Sequence, residues 1–193
     1  MYYVWEPDLD LEDEFSVFSD NPSDLDMGLF ISSEKIVEKL PIYELVGDED
    51  SPASLSDVLL TDCDPPIFSE KLQLILAGLH VPNIQYFPVK ILNREKKEVS
   101  ELYKAANIIG AIDCLNFEQS DYTRFFEDEG LMRVARFQLL EDKISAYATP
   151  ENPPLMFRLG EFKGHLLVHE RIKDACQKAN ITGVRFIRPE DYT

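Results

Sequence analysis

The chain has 193 residues, 45% of them hydrophobic and 11% aromatic, which is enough apolar surface for a real core and too much for a wholly disordered chain. Its 36 acids outnumber 19 Lys and Arg, for a net charge of −17, which argues against nucleic acid or an anionic membrane as partner. The charge is uneven: residues 1–70 hold nineteen acids and two bases, Lys35 and Lys39, whereas residues 71–193 hold seventeen of each.

A charge segregated in this way marks either a solvated acidic arm or a surface that meets a basic partner. The opening residues, Met-Tyr-Tyr-Val-Trp-Glu-Pro-Asp, lack the basic region and apolar run of a secretory signal. No apolar stretch approaches the roughly 20 residues of a membrane helix. Cys63, Cys114 and Cys176 are odd in number and widely spaced, which suits buried thiols in a reducing compartment. These features predict a cytoplasmic protein.

In chain order, residues 2–5 are aromatic and β-branched and predict an opening strand. Residues 6–28 hold nine acids and no base, interrupted by Phe15, Val17 and Phe18. Residues 32–40 predict a short helix capped by Ser32 or Ser33, with Ile36, Val37 and Leu40 on one face. Residues 47–66, rich in Asp, Ser and Pro, read as a long surface connection with an apolar contact at Val58-Leu59-Leu60. Next, Ser69 caps a helix whose stripe is Leu72, Ile75, Leu76 and Leu79, with Glu70 at the positive end of its dipole.

A strand follows over 84–92, with Phe87, Val89 and Ile91 on one face. Residues 107–115 and 131–140 are further strand candidates, the second ambiguous with helix. Residues 155–159 and 166–168 are short apolar runs that fit strands. Ile172, Ala175, Cys176 and Ala179 repeat the helix stripe, Asn180 and Gly183 close it, and Val184 to Ile187 form a last strand. No internal repeat is visible. The order is not a clean alternation of strand and helix, so the expected fold is α+β, with a mixed or mainly antiparallel sheet and a few short helices. The expected organisation is an acidic region over 1–66 and an α+β core over 67–193, forming one compact domain overall.

Catalytic and metal signatures are weak. His165 and His169 are four residues apart in HLLVH, but the glutamate of a zinc-protease helix is missing, so the pair reads as two histidines flanking a buried strand. A calcium loop starting at Asp8 would need Gly and Glu where Asp13 and Ser19 stand. No glycine-rich phosphate loop and no Gly-x-Ser-x-Gly elbow is present. No residue is therefore assigned to catalysis, and no cofactor or metal is expected. A small hydrolase or transferase using an unrecognised acid pair, and an acidic regulatory binding domain, stand as alternatives.

Four clusters carry a resemblance. They are Ile67-Phe68-Ser69-Glu70-Lys71-Leu72 with Gly78-Leu79 and Phe87-Pro88-Val89; then Tyr103, Asn107, Gly110, Asp113 and Ser120; then Leu155-Met156-Phe157-Arg158-Leu159 with Leu167-Val168; and finally Ile181-Thr182-Gly183-Val184-Arg185-Phe186. In this order and spacing, residues 67–187 resemble a bacterial immunity-protein family, typified by a Myxococcus immunity protein and formerly a domain of unknown function. Members look like partners of polymorphic toxins, including type VI and contact-dependent effectors. The resemblance implies a non-catalytic protein that binds and neutralises a cognate toxin encoded nearby.

Within the matching residues, Phe68 and Phe157 read as core, Ser69 as a cap, and Asn107 and Gly183 as turn residues; Lys71 belongs to the first cluster. Asp113 reads as a local backbone binder and Arg158 as its partner across the sheet. The acidic part then gains a use, because a toxin acting on nucleic acid or membrane presents a basic cleft that carboxylates can fill. The expected toxin contacts are Asp8, Asp10, Glu12, Asp13, Glu14, Asp20, Asp24, Asp48, Glu49 and Asp50, with Phe15, Phe18 and Leu25 as apolar anchors.

Overall fold

The computed structural model describes residues 1–8, 16–19, 27–48, 55–61, 65–124, 131–147 and 152–193. Its elements, in chain order, begin with β1 (Tyr2–Pro7), β2 (Ser16–Ser19), α1 (Met27–Ile31), β3 (Tyr43–Gly47), β4 (Val58–Thr61) and β5 (Ile67–Phe68). There follow α2 (Glu70–Gly78), β6 (Ile84–Leu92), β7 (Glu98–Ser100), β8 (Lys104–Ile108), β9 (Ala111–Ile112), β10 (Asp121–Arg124) and β11 (Leu131–Ala135). The last are α3 (Glu141–Ser145), β12 (Met156–Leu159), β13 (Leu166–His169), α4 (Glu170–Lys178) and β14 (Val184–Ile187). The fold is α+β with mixed sheets, as the irregular element order implies. No helix among the described residues is long and apolar enough to cross a membrane.

Five strands form one sheet in the order β14-β1-β13-β12-β9, and β10 pairs with β11 in a separate ribbon. The third sheet runs β3-β2-β4-β5-β8-β6-β7, and β3 also pairs in parallel with β6, so the pairings run in a ring. Phe30 from α1, Tyr43, Leu45, Ile67, Val89 and Ile91 pack together in this sheet's core. A second core joins the two large sheets through α2 and α4: Trp5, Phe68, Leu72, Leu76, Met156, Val168, Ile172 and Cys176 are all buried in it. The expected stripes of both helices thus face one shared interior, and the expected face of β6 lines the ring. Burial raises the thiols of Cys114 and Cys176 to about 12, so neither is a reactive thiolate.

The two large sheets contain the same unit twice. In the first, β4-β5-β8-β6 are neighbours and α2 connects β5 to β6; in the second, β12-β13-β1-β14 are neighbours and α4 connects β13 to β14. The registers agree at an offset of one hundred residues: Ile67 faces Ala105 and Leu167 faces Val4, while Tyr86 faces Ala106 and Phe186 faces Trp5. The turns agree as well. The Val81 N–H bonds the Leu76 carbonyl (3.1 Å) as the Ile181 N–H bonds that of Cys176 (2.9 Å), and His80 and Asn180 both take positive φ, 57° and 51°.

This duplication corrects the reading that no repeat is present. Glu70 and Glu170 are the only identical pair between residues 69–87 and 169–187, so the units share their pattern of buried positions rather than residue identities. The fourth strand also differs in its place along the chain, β8 coming after the first unit's helix and β1 ahead of the second's.

Three element predictions are also corrected. Residues 32–40 are not helical. Ser33 takes a φ of +66°, Gln85 accepts the Ile36 N–H (2.8 Å) and donates to the Ile36 carbonyl (3.1 Å), and Asn107 donates to the Glu34 carbonyl (2.8 Å). These tertiary bonds displace helical ones, and Val37 is left 81% exposed beside buried Ile36. Within the expected surface connection over 47–66, Val58–Thr61 form the strand β4, and the apolar contact expected at Val58 and Leu59 is buried between β2 and β5. Residues 107–115 are two strands, β8 and β9, separated by a reversal at Gly110, whose φ is +100°.

The paired histidines have separate structural tasks. His165 is buried and stacks on Phe137 with ring centroids 5.5 Å apart; its Nε2 lies 3.0 Å from the Val134 carbonyl, which can only accept, so Nε2 carries the proton. The His169 Nδ1 caps α4 by accepting the Arg171 N–H at 3.3 Å. Burial lowers the pKa of both rings below the ordinary 6.5. The unfolded chain therefore binds more protons below that value, and stability, complete above about pH 6.5, falls as the pH drops. Urea unfolding at pH 7.5 and pH 5 is expected to show a smaller loss for His165→Gln than for the parent chain. Gly183 has φ +81° and a Cβ there would collide with the Val58 carbonyl oxygen, so Gly183→Ala is expected to cost about 2 kcal/mol or more in the same measurement.

Candidate partner-binding surface

Ser69 and Lys71 among the motif residues converge on one carboxylate. Asp57, just ahead of β4, accepts the Ser69 hydroxyl on Oδ1 (2.7 Å) and the Lys71 ammonium on Oδ2 (3.1 Å). Oδ2 also accepts the Thr182 N–H (3.2 Å), and the Asp57 N–H donates to the Thr182 hydroxyl (3.0 Å). Its carbonyl receives the Ser69 N–H at 2.8 Å. Ser69 in turn caps α2 by accepting the Leu72 N–H, as its sequence position predicts, and Lys71 reaches on to the Asn180 carbonyl. Tyr103 donates to the Ser56 carbonyl (2.8 Å), and burial next to Asp57 pushes its hydroxyl pKa up. Gly183 lies against Val58 in the turn that leads into β14. Asp57 thereby ties the start of α2 to the end of α4. Reading 47–66 as a surface connection concealed it, since an isolated Asp among Ser and Pro gives no local sign of buried partners.

The other motif residues divide. Phe68 and Phe157 are core. Asn107 is not a turn residue: it is buried in β8, with its amide on the Glu34 carbonyl and the Gln85 side chain. Arg158 is 4% exposed and donates to the Lys163 carbonyl (2.8 Å). Among the described residues no ion pair joins it to Asp113, whose carboxylate lies against Gly160. A different acid serves that neighbourhood, because Glu161 accepts the N–H groups of Cys114 (3.2 Å) and Leu115 (2.9 Å).

Of the acidic toxin contacts expected, Asp8 follows β1, where its N–H bonds the Gly183 carbonyl and its carboxylate lies 3.6 Å from Arg185. Asp48 follows β3 and is half-buried. Phe18 belongs to β2 by its backbone. Asp10, Glu12, Asp13, Glu14, Phe15, Asp20, Asp24, Leu25, Glu49 and Asp50 lie outside the described residues.

Two surface features were not foreseen. The first is a cleft of about 710 Å³ between the end of α2 and the start of α4, with Leu155, Met156 and Phe157 in its wall, lined also by His80 and by Arg171 as its cationic group. No carboxylate is among its described lining residues. The second is an aromatic and arginine cluster at the β10–β11 ribbon. Phe117 and Tyr122 meet edge to face at 5.1 Å, and the Arg124 guanidinium lies 5.4 Å from both ring centroids. Grooves and exposed aromatic or arginine residues are the materials of protein recognition.

Compared with known proteins, the chain matches the model of the immunity protein family Imm11 over residues 55–191. The comparison with curated proteins returns no match.

Asp57→Ala would leave the Ser69 hydroxyl and the Lys71 ammonium without their shared acceptor, and is expected to cost about 2–3 kcal/mol in urea unfolding. Lys71→Met removes only the half-exposed partner and is expected to cost about 1 kcal/mol or less.

Proposed function

This chain belongs to the Imm11 immunity protein family, and from that premise we propose that it binds a cognate antibacterial toxin, of the type VI or contact-dependent kind, and holds it inactive without turnover of its own. The toxin is encoded nearby, and the encounter takes place in the cytoplasm of the producing cell. The observation that carries this reading is the family match, which spans residues 55–191 and so includes both strand–helix–strand units except β1.

The charge distribution supports a division of labour. Residues 1–54 lie outside the match and hold fifteen acids against two bases. The matched part supplies the scaffold, and the acidic segments at 6–28 and 44–64 meet a basic toxin surface. Complementary charge raises association rates, to about 10⁸–10⁹ M⁻¹s⁻¹ at low salt. Phe15, Phe18 and Leu25 add the apolar contacts that slow release.

Co-expression with the product of the adjacent gene is the direct test: rescue of growth and co-purification are expected, and the absence of both would remove the immunity reading for that pair. Reversing Glu12, Asp13 and Glu14 to Lys is expected to slow association about tenfold or more and to flatten its salt dependence, as read by stopped-flow mixing. Unchanged kinetics would take the acidic segment out of the interface.

A further inference from the structure

The duplicated unit sets two equivalent places side by side, one filled and one open. The Ser69 N–H bonds the Asp57 carbonyl at 2.8 Å, and the His169 N–H bonds the Leu155 carbonyl at 2.8 Å, so Leu155 stands where Asp57 does. By the same offset Arg171 corresponds to Lys71, Pro82 to Thr182 and His80 to Asn180. In the first place the cation, the cap and the turn share the Asp57 carboxylate. In the second the carboxylate is replaced by an aliphatic side chain, and Pro82 has no N–H to offer. Arg171 forms no ion pair among the described residues, although the chain carries a net charge of −17. The volume that the Asp57 network closes in one place is the open cleft of about 710 Å³ in the other.

We propose that this cleft receives a carboxylate-bearing segment of the toxin, the acid pairing with Arg171 as Asp57 pairs with Lys71 and an adjoining apolar side chain resting on Leu155 and Met156. The proposal rests on the toxin-binding reading above and names its second contact. The molecule itself shows what a cation at this position holds when the place is filled. A peptide fits better than a small free acid because β9, the edge strand of the five-stranded sheet, forms part of the wall through Ala111 and Ile112. At Gly110 a Cβ would meet nothing within 4 Å, so the backbone there borders open space. With acidic segments seeking a basic surface and Arg171 seeking an acid, the two contacts have opposite sign, which fixes the register of the complex more firmly than attraction of one sign.

Titration calorimetry with the toxin from the adjacent gene tests this on Arg171→Glu, on the conservative Arg171→Lys, and on Lys178→Glu, an equal charge change at the far end of α4. The expected result is a loss of about tenfold or more for Arg171→Glu, with the other two within about threefold of the parent. Parent-like affinity in Arg171→Glu overturns the cleft proposal while leaving toxin binding, and so the immunity reading, intact. If the parent binds no toxin, the immunity reading fails for that pair and a toxin-free measurement decides the cleft. Acetyl-Leu-Asp-amide is expected to shift the amide resonances of Gly110 and Ala111, acetyl-Leu-Asn-amide to leave them in place, and Arg171→Gln to abolish the difference. Equal behaviour of the two peptides, or equal shifts with acetate alone, overturns it.

Discussion

Asp57 is a buried carboxylate whose acceptor capacity is almost wholly used within the chain, by a hydroxyl, an ammonium and a backbone N–H drawn from two helical units. Charge-assisted bonds of this kind are short and strong, and a partly buried carboxylate is stable only when several donors surround it. The start of α2, the entry to β4 and the turn before β14 are therefore held in one mutual arrangement. The cleft between the end of α2 and the start of α4 is the unfilled counterpart of that knot.

The duplicated architecture separates scaffold from recognition in physical terms. Each unit needs a buried stripe on its helix, a capping acceptor at its start and a left-handed residue after its end, and both supply these with different residues: Ser69 and His169, Leu72 and Ile172, His80 and Asn180. Those needs leave the remaining positions free to differ. They differ most at Asp57 and Leu155, where one unit closes on itself and the other stays open. Net charge follows a similar split, since residues 1–54, outside the matched stretch, hold fifteen acids against two bases.

Features set by neighbours in sequence were legible before the structure. The Ser69 cap, the stripe of α2, the extent of β6, the amphipathic α4 and its closure at Asn180 and Gly183 all follow from spacing over a single helix or strand. Long-range partnerships were not. Asp57 bonds residues 12 and 125 positions away, so nothing near it announces a buried role. The false helix at 32–40 failed for the same reason: a sound local pattern met Gln85 and Asn107, which claimed its backbone. The cleft, with Arg171 at its rim, appears only when residues 79–83, 152–157 and 171 come together.

β1 sits between β13 and β14, so a strand from early in the sequence is paired on both sides by strands from late in it. Residues 58–108 can assemble their unit from one continuous stretch as they emerge, whereas β1 of the second unit finds its two partners only once β13 and β14 have been made.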